Sequence, residues 1–150
     1  VDDTASASAL AEEVNCSDGV FNVEWTGNVV VEREIYVGSG TSLRVAGTDP
    51  EARINGGGRN RLFTVENASL NVSNVIISNG NATDGGAIVC EGSNMSFYNT
   101  SFINNVAVPG NGGALHVVKS STVTLGGLTT FLSNSASKGG GAAFIGNSSS

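Results

Sequence analysis

The sequence predicts an all-β fold: a right-handed parallel β-helix, a solenoid of about four to five coils with three short strands per coil. One observation is a junction of glycines into a strand that recurs three times, at Gly85-Gly86-Ala87-Ile88-Val89-Cys90, Gly112-Gly113-Ala114-Leu115-His116-Val117 and Gly140-Gly141-Ala142-Ala143-Phe144-Ile145. A second is the alternation after each junction, where side chains of period two fall into apolar columns. The third is composition. With 21 Gly, two Pro and only 13% charged residues, the chain favours many tight turns over helices with salt-bridged outer faces.

Taken in order along one unit, the first strand turns Ile88, Leu115 and Ala143 inward as one column and Cys90, Val117 and Ile145 as another, with Val89, His116 and Phe144 outward. The second strand turns Leu70 and Val72, Met95 and Phe97, Val123 and Leu125 inward. Its outward residues are then Ser69 and Asn71, Asn94 and Ser96, Thr122 and Thr124. A third element ends each unit with an apolar residue and an asparagine three later: Ile76 to Asn79, Phe102 to Asn105, Phe131 to Asn134. So short a unit cannot bury its own apolar face, so successive units must stack with each strand about 4.8 Å from its equivalents above and below.

The corners follow from the same stacking. Gly85, Gly86, Gly112, Gly113, Gly140 and Gly141 sit where the chain turns into the first strand, in left-handed conformations or pressed against the backbone of a neighbouring coil. Asn79, Asn105 and Asn134 are expected to form a second corner, tolerating left-handed backbone and hydrogen-bonding along the stack. Upstream, Phe63 and Val65 match the first strand, Leu43 with Val45 and Ile35 with Val37 fit the coil before, and the solenoid is expected to begin within residues 20–31. Residues 1–150 read as a single domain, with residues 1–19 as an N-terminal cap containing a short helix with Leu10 and Val14 at i, i+4. At the other end nothing resembles a cap, so further coils or another copy are expected to stack beyond residue 150.

The pairing of GGA plus an aliphatic residue ("GGAI", "GGAL", and a variant "GGAA") with F-x-x-N ("FINN", "FLSN") resembles the repeats of chlamydial polymorphic outer-membrane proteins and related bacterial and algal β-helix proteins. It covers roughly residues 60–147, and the earliest F-x-x-N site reads "IISN". The resemblance implies an extracellular adhesive or structural β-helix at a cell surface and brings no catalytic residues to transfer.

Partners and compartment are read from charge and short motifs. The net charge is −6 and the five Arg and two Lys are scattered, so neither nucleic acid nor insertion into a membrane is expected. No apolar run approaches the roughly 20 residues of a membrane helix. Asn-x-Ser/Thr occurs at Asn15, Asn67, Asn71, Asn81, Asn94, Asn99 and Asn147, pointing to a secreted glycoprotein, although turns of such a repeat are rich in these residues anyway. Spacing further suggests that Asn67, Asn94 and Asn147 share one edge. Cys16 and Cys90 stand nearly three coils apart, roughly 13 Å along the axis, too far for a disulfide; Cys90 reads as a buried small hydrophobe and Cys16 as the freer thiol.

Three functions fit such a chain. The first is a non-enzymatic structural or adhesive component of an extracellular or cell-surface assembly, stacking on its own kind and touching polysaccharide or matrix protein. The second is a module that binds carbohydrate or ice through the flat grid of Ser69, Asn71, Asn94, Ser96, Thr122 and Thr124. The third, a polysaccharide lyase or epimerase, needs clustered carboxylates beside Arg or Lys. Glu66 and Glu91 are the only acids about a coil apart near one face, and His116 has no acid at i±2. No catalytic constellation, metal or cofactor is predicted, so the first reading is preferred.

Overall fold

The computed structural model describes residues 19–146; the expected capping helix, Asn15, Cys16 and Asn147 lie outside them. All regular structure among the described residues is β-strand. Three five-stranded parallel sheets run the length of the domain, each strand taken from successive coils, and give a β-solenoid of about five turns.

The first-strand sheet stacks Ile35–Val37, Phe63–Glu66, Ile88–Glu91, Leu115–Val118 and Ala143–Ile145. Its register places Ile35, Phe63, Ile88, Leu115 and Ala143 in one inward column, and Val37, Val65, Cys90, Val117 and Ile145 in the next. The second-strand sheet stacks Gly19–Trp25, Thr41–Gly47, Ser69–Ser73, Asn94–Tyr98 and Thr122–Gly126. Here Phe21, Leu43, Leu70, Met95 and Val123 form one inward column, and Val23, Val45, Val72, Phe97 and Leu125 the other. Period-two alternation therefore set both registers, because one face of every strand is buried and a slip of one residue would turn the whole apolar set outward.

The third sheet, Asn28–Val30, Arg53–Asn55, Ile76–Ser78, Ser101–Ile103 and Thr130–Leu132, carries a correction. Ile77, not Ile76, stands opposite Phe102 and, through it, Phe131. Ile77 is buried and Ile76 only half-buried. Two adjacent isoleucines satisfy the apolar end of the motif equally well, and the choice falls to the one whose side chain stacks under the Phe102 ring. Val29 and Ile54 extend this column into the first coils. A fourth, two-residue ladder of Asn81–Ala82, Val106–Ala107 and Ser135–Ala136 follows the third sheet, a strand the three-strand expectation lacks.

The core is one continuous cluster through the stack, from Trp25 and Val29 to Leu115 and Val117. Within it the Phe102 ring meets Phe97 edge-on, centroids 5.0 Å apart, and stacks on Phe131 at 4.8 Å. Trp25 is fully buried, and its indole N–H donates to the Arg53 carbonyl at 3.0 Å. Cys90 is an unpaired thiol in the interior; burial raises its pKa, so it stays protonated and behaves as a small apolar side chain.

Candidate functional site

Two corners hold the sheets at their angles. At the glycine corner the two positions of each pair have different tasks. Gly85, Gly112 and Gly140 adopt φ of 59°, 69° and 62°, the left-handed region that a Cβ disfavours. Gly86 and Gly113 instead lie against the next coil: a Cβ on Gly86 would strike the Gly113 carbonyl oxygen, and one on Gly113 the Gly141 carbonyl oxygen. In the preceding coil this corner has no glycine pair. Arg61 donates from Nη2 to the Asp84 carbonyl at 2.7 Å and from Nε to the Gly85 carbonyl at 3.1 Å, and pairs with Glu34 at 3.3 Å. A guanidinium thus caps the first glycine corner from below.

The asparagine corner combines two positions. Asn79, Asn104 and Ser133 are left-handed, each with φ of 56°. Asn105 and Asn134 follow one residue later and work through their side chains. Asn105 is buried; its Oδ1 accepts from the Gly80 N–H at 2.9 Å, and its Nδ2 donates to the Ile77 carbonyl at 3.1 Å and to Asn134 Oδ1 at 2.9 Å. Asn134 Nδ2 donates in turn to the Phe102 carbonyl at 2.9 Å. Asn79 belongs to the left-handed position, one residue before the side-chain ladder, and donates to Asn55 Oδ1 at 3.1 Å. Asn105→Ala leaves the buried Gly80 N–H without its side-chain acceptor and breaks the amide ladder to Asn134, and is expected to cost about 1–3 kcal/mol in urea denaturation. An unchanged midpoint would show that the corner holds without its amide ladder.

On the outward face of the first sheet most charged groups are paired, while His116 Nδ1 is buried without a hydrogen-bond partner among the described residues. Glu66 and Glu91 stand directly opposite each other. Tyr36 donates its hydroxyl to Glu66 Oε2 at 2.6 Å, and that bond holds the phenol above its usual pKa. Lys119 Nζ pairs with Glu91 Oε2 at 2.5 Å, which raises the ammonium pKa. His116 stacks on Phe144, centroids 5.2 Å apart, and its Nδ1 lies 4.0 Å from Asp84 Oδ1. Asp84 thus reaches the histidine from the preceding coil, a neighbour that local sequence does not reveal. Asp49 accepts from the Gly27 and Glu51 N–H groups in a separate turn. Among the described residues no three His, Cys, Asp or Glu gather where one ion could be held.

The outward face of the second sheet is different. One row runs Asn22, Arg44, Asn71, Ser96, Thr124; flanking rows run Val20, Ser42, Ser69, Asn94, Thr122 and Glu24, Ala46, Ser73, Tyr98, Gly126. Arg44 and Tyr98 rise above the smaller side chains, so the expected flat grid holds a solvent-open concavity of 270 Å³ lined by Arg44, Asn71, Ser73, Ser96 and Tyr98.

The asparagines of the sequons occupy unlike settings. Asn71 and Asn94 project from strands of this face. Asn67 stands in a left-handed turn beside Gly92, while Asn94 pairs with Ser69, so the two share an edge without sharing a register position. Asn81 donates to the Gly58 carbonyl at 3.1 Å; Asn99 accepts from the Leu128 N–H at 2.8 Å and donates to Asn74 Oδ1 at 3.4 Å.

The stretch from Asn99 to Val118 contains the third-sheet strand Ser101–Ile103, the Asn104-Asn105 corner, the Gly112-Gly113 corner and the first-sheet strand Leu115–Val118. Residues 99–118 match the family model of the Chlamydia polymorphic membrane protein (Chlamydia_PMP) repeat. The chain is a β-solenoid repeat protein similar to that family. The Chlamydia_PMP repeat thus maps onto the third sheet, both corners and the first sheet, the parts whose side chains and glycines lock one coil to the next. No curated protein and no solved structure matches the chain.

Proposed function

We propose that this protein is a non-enzymatic structural or adhesive component of a cell-surface or extracellular assembly, with coil-on-coil stacking as its means of association. The observation that carries the reading is that the coils close on one another in a single register, with Phe97 and Val117 buried beneath Leu125 and Ile145 of the next coil. A further coil of the same register, from this chain or from a second copy, would pair the outer edges of Thr122–Gly126 and Thr130–Leu132 and cover Val123, Leu125 and Phe131. The similarity to a membrane-protein repeat supports placement at a cell surface.

Sedimentation velocity tests it. The chain is expected to associate with rising concentration, and Leu125→Glu with Ile145→Lys to abolish that association while leaving the circular-dichroism spectrum unchanged. A monodisperse monomer at high concentration would overturn the stacking. Glycosylation of the sequons, which supports the secreted compartment, is read by intact mass before and after glycosidase on protein from its native source. A mass that glycosidase leaves unchanged would remove it.

A further inference from the structure

We infer that the concavity between Arg44 and Tyr98 is a binding subsite for an acidic saccharide, a chain carrying uronate-type carboxylates. The reasoning begins with which polar groups the fold uses. On the first sheet's outward face Tyr36, Glu66, Glu91 and Lys119 satisfy one another. On the third sheet Asn28 bonds Asn55, and Ser101 bonds Thr130. On the second sheet Arg44, Asn71, Ser73, Ser96 and Tyr98 line one concavity, and the side chains of all five lack a hydrogen bond or ion pair within the described residues. Five converging polar groups that the fold leaves open are what an external ligand requires.

Their chemistry selects the ligand. Arg44 offers a planar guanidinium with no competing carboxylate, in a protein whose net charge is otherwise negative, and a guanidinium matches a carboxylate in bidentate geometry. Asn71, Ser73 and Ser96 supply donors and acceptors of the kind sugar hydroxyls need. Tyr98 supplies an apolar face with a polar tip. Its ring is backed by Gly126 and Gly127, where added Cβ atoms would lie 3.2 Å and 3.0 Å from ring carbons, so the absence of side chains there keeps the ring in place. The row from Arg44 through Asn71 to Ser96 crosses two coil spacings, about 10 Å, which sets the ligand along the solenoid axis. Asn71 is also a sequon asparagine, so a glycan attached there and an acidic saccharide would compete for one space. This inference is independent of end-to-end stacking.

The test uses residues 1–150 made without glycosylation and titrated calorimetrically with a soluble oligouronide, alongside the same oligosaccharide with its carboxyls reduced to alcohols. The oligouronide is expected to bind, and the reduced form to bind about tenfold more weakly or not at all. Arg44→Gln is expected to remove that preference and Tyr98→Ala to weaken both ligands, whereas Arg59→Gln, an exposed arginine in a turn away from the concavity, changes neither. Failure of the oligouronide to bind, or binding that Arg44→Gln and Arg59→Gln weaken equally, would overturn the inference, the latter because it marks diffuse charge attraction instead of a site.

Discussion

Phe102→Ala is expected to be among the most damaging single truncations in the solenoid, lowering stability by about 3–5 kcal/mol. Phe102 is fully buried at the junction of two sheets, with its edge toward Phe97 and its face against Phe131. Alanine removes the ring from the column that runs Val29, Ile54, Ile77, Phe102, Phe131, and the parallel ladders above and below prevent the coils from closing the void. Phe131→Ala, one coil further along the same column, removes an identical side chain that is only partly buried and should cost clearly less. Guanidinium denaturation of both variants distinguishes the cases; equal losses would mean that the core is not continuous through this column.

That contrast marks where the sequence was legible. From Phe63 onward the first two sheets could be read residue by residue because each strand alternates and each is announced by glycines or by a polar turn. The third sheet could be read only to within one residue, since Ile76 and Ile77 are both apolar and only stacking on Phe102 separates them. The first coils were legible in spacing alone: Trp25, Val29 and Ile54 are fully or almost fully buried, yet their strands carry no glycine pair, and their asparagines, Asn28 and Asn55, bond to each other outside the F-x-x-N spacing. Arg61 replaces the glycine device there, and no local pattern shows an arginine reaching to carbonyls 23 and 24 residues later. The concavity was half legible. Alternation identified Asn71 and Ser96 as outward, but Arg44 and Tyr98 become its walls only through register across three coils.

Gly86→Ala and Gly141→Ala change the same motif position and are expected to have opposite consequences. Gly86 does not need positive φ; its constraint is space. An added Cβ would meet the Gly113 carbonyl oxygen on one side and the backbone of Val106 on the other, with Val106 N at 2.6 Å. Neither obstacle is a flexible side chain, so relief requires separating coils that are joined by the Gly86 N–H to Gly112 carbonyl and Ala87 N–H to Ala114 carbonyl bonds. A cost of about 3 kcal/mol, at the upper end for overpacking, follows from forcing that separation. At Gly141 the corresponding Cβ meets only the Asn134 carbonyl oxygen, at 3.4 Å, so the alanine should be accepted within about 0.5 kcal/mol. It should nevertheless interfere with end-to-end association, because a coil docked there in register would press its backbone onto Gly141 as Gly141 presses onto Gly113. Thermal unfolding should therefore separate the two variants at low concentration, with Gly86→Ala shifted down and Gly141→Ala unshifted. Sedimentation at high concentration should show Gly141→Ala associating less than the parent chain. A Gly141→Ala protein that unfolds as early as Gly86→Ala would show that the second glycine is required by its own coil and not by the coil stacked on it.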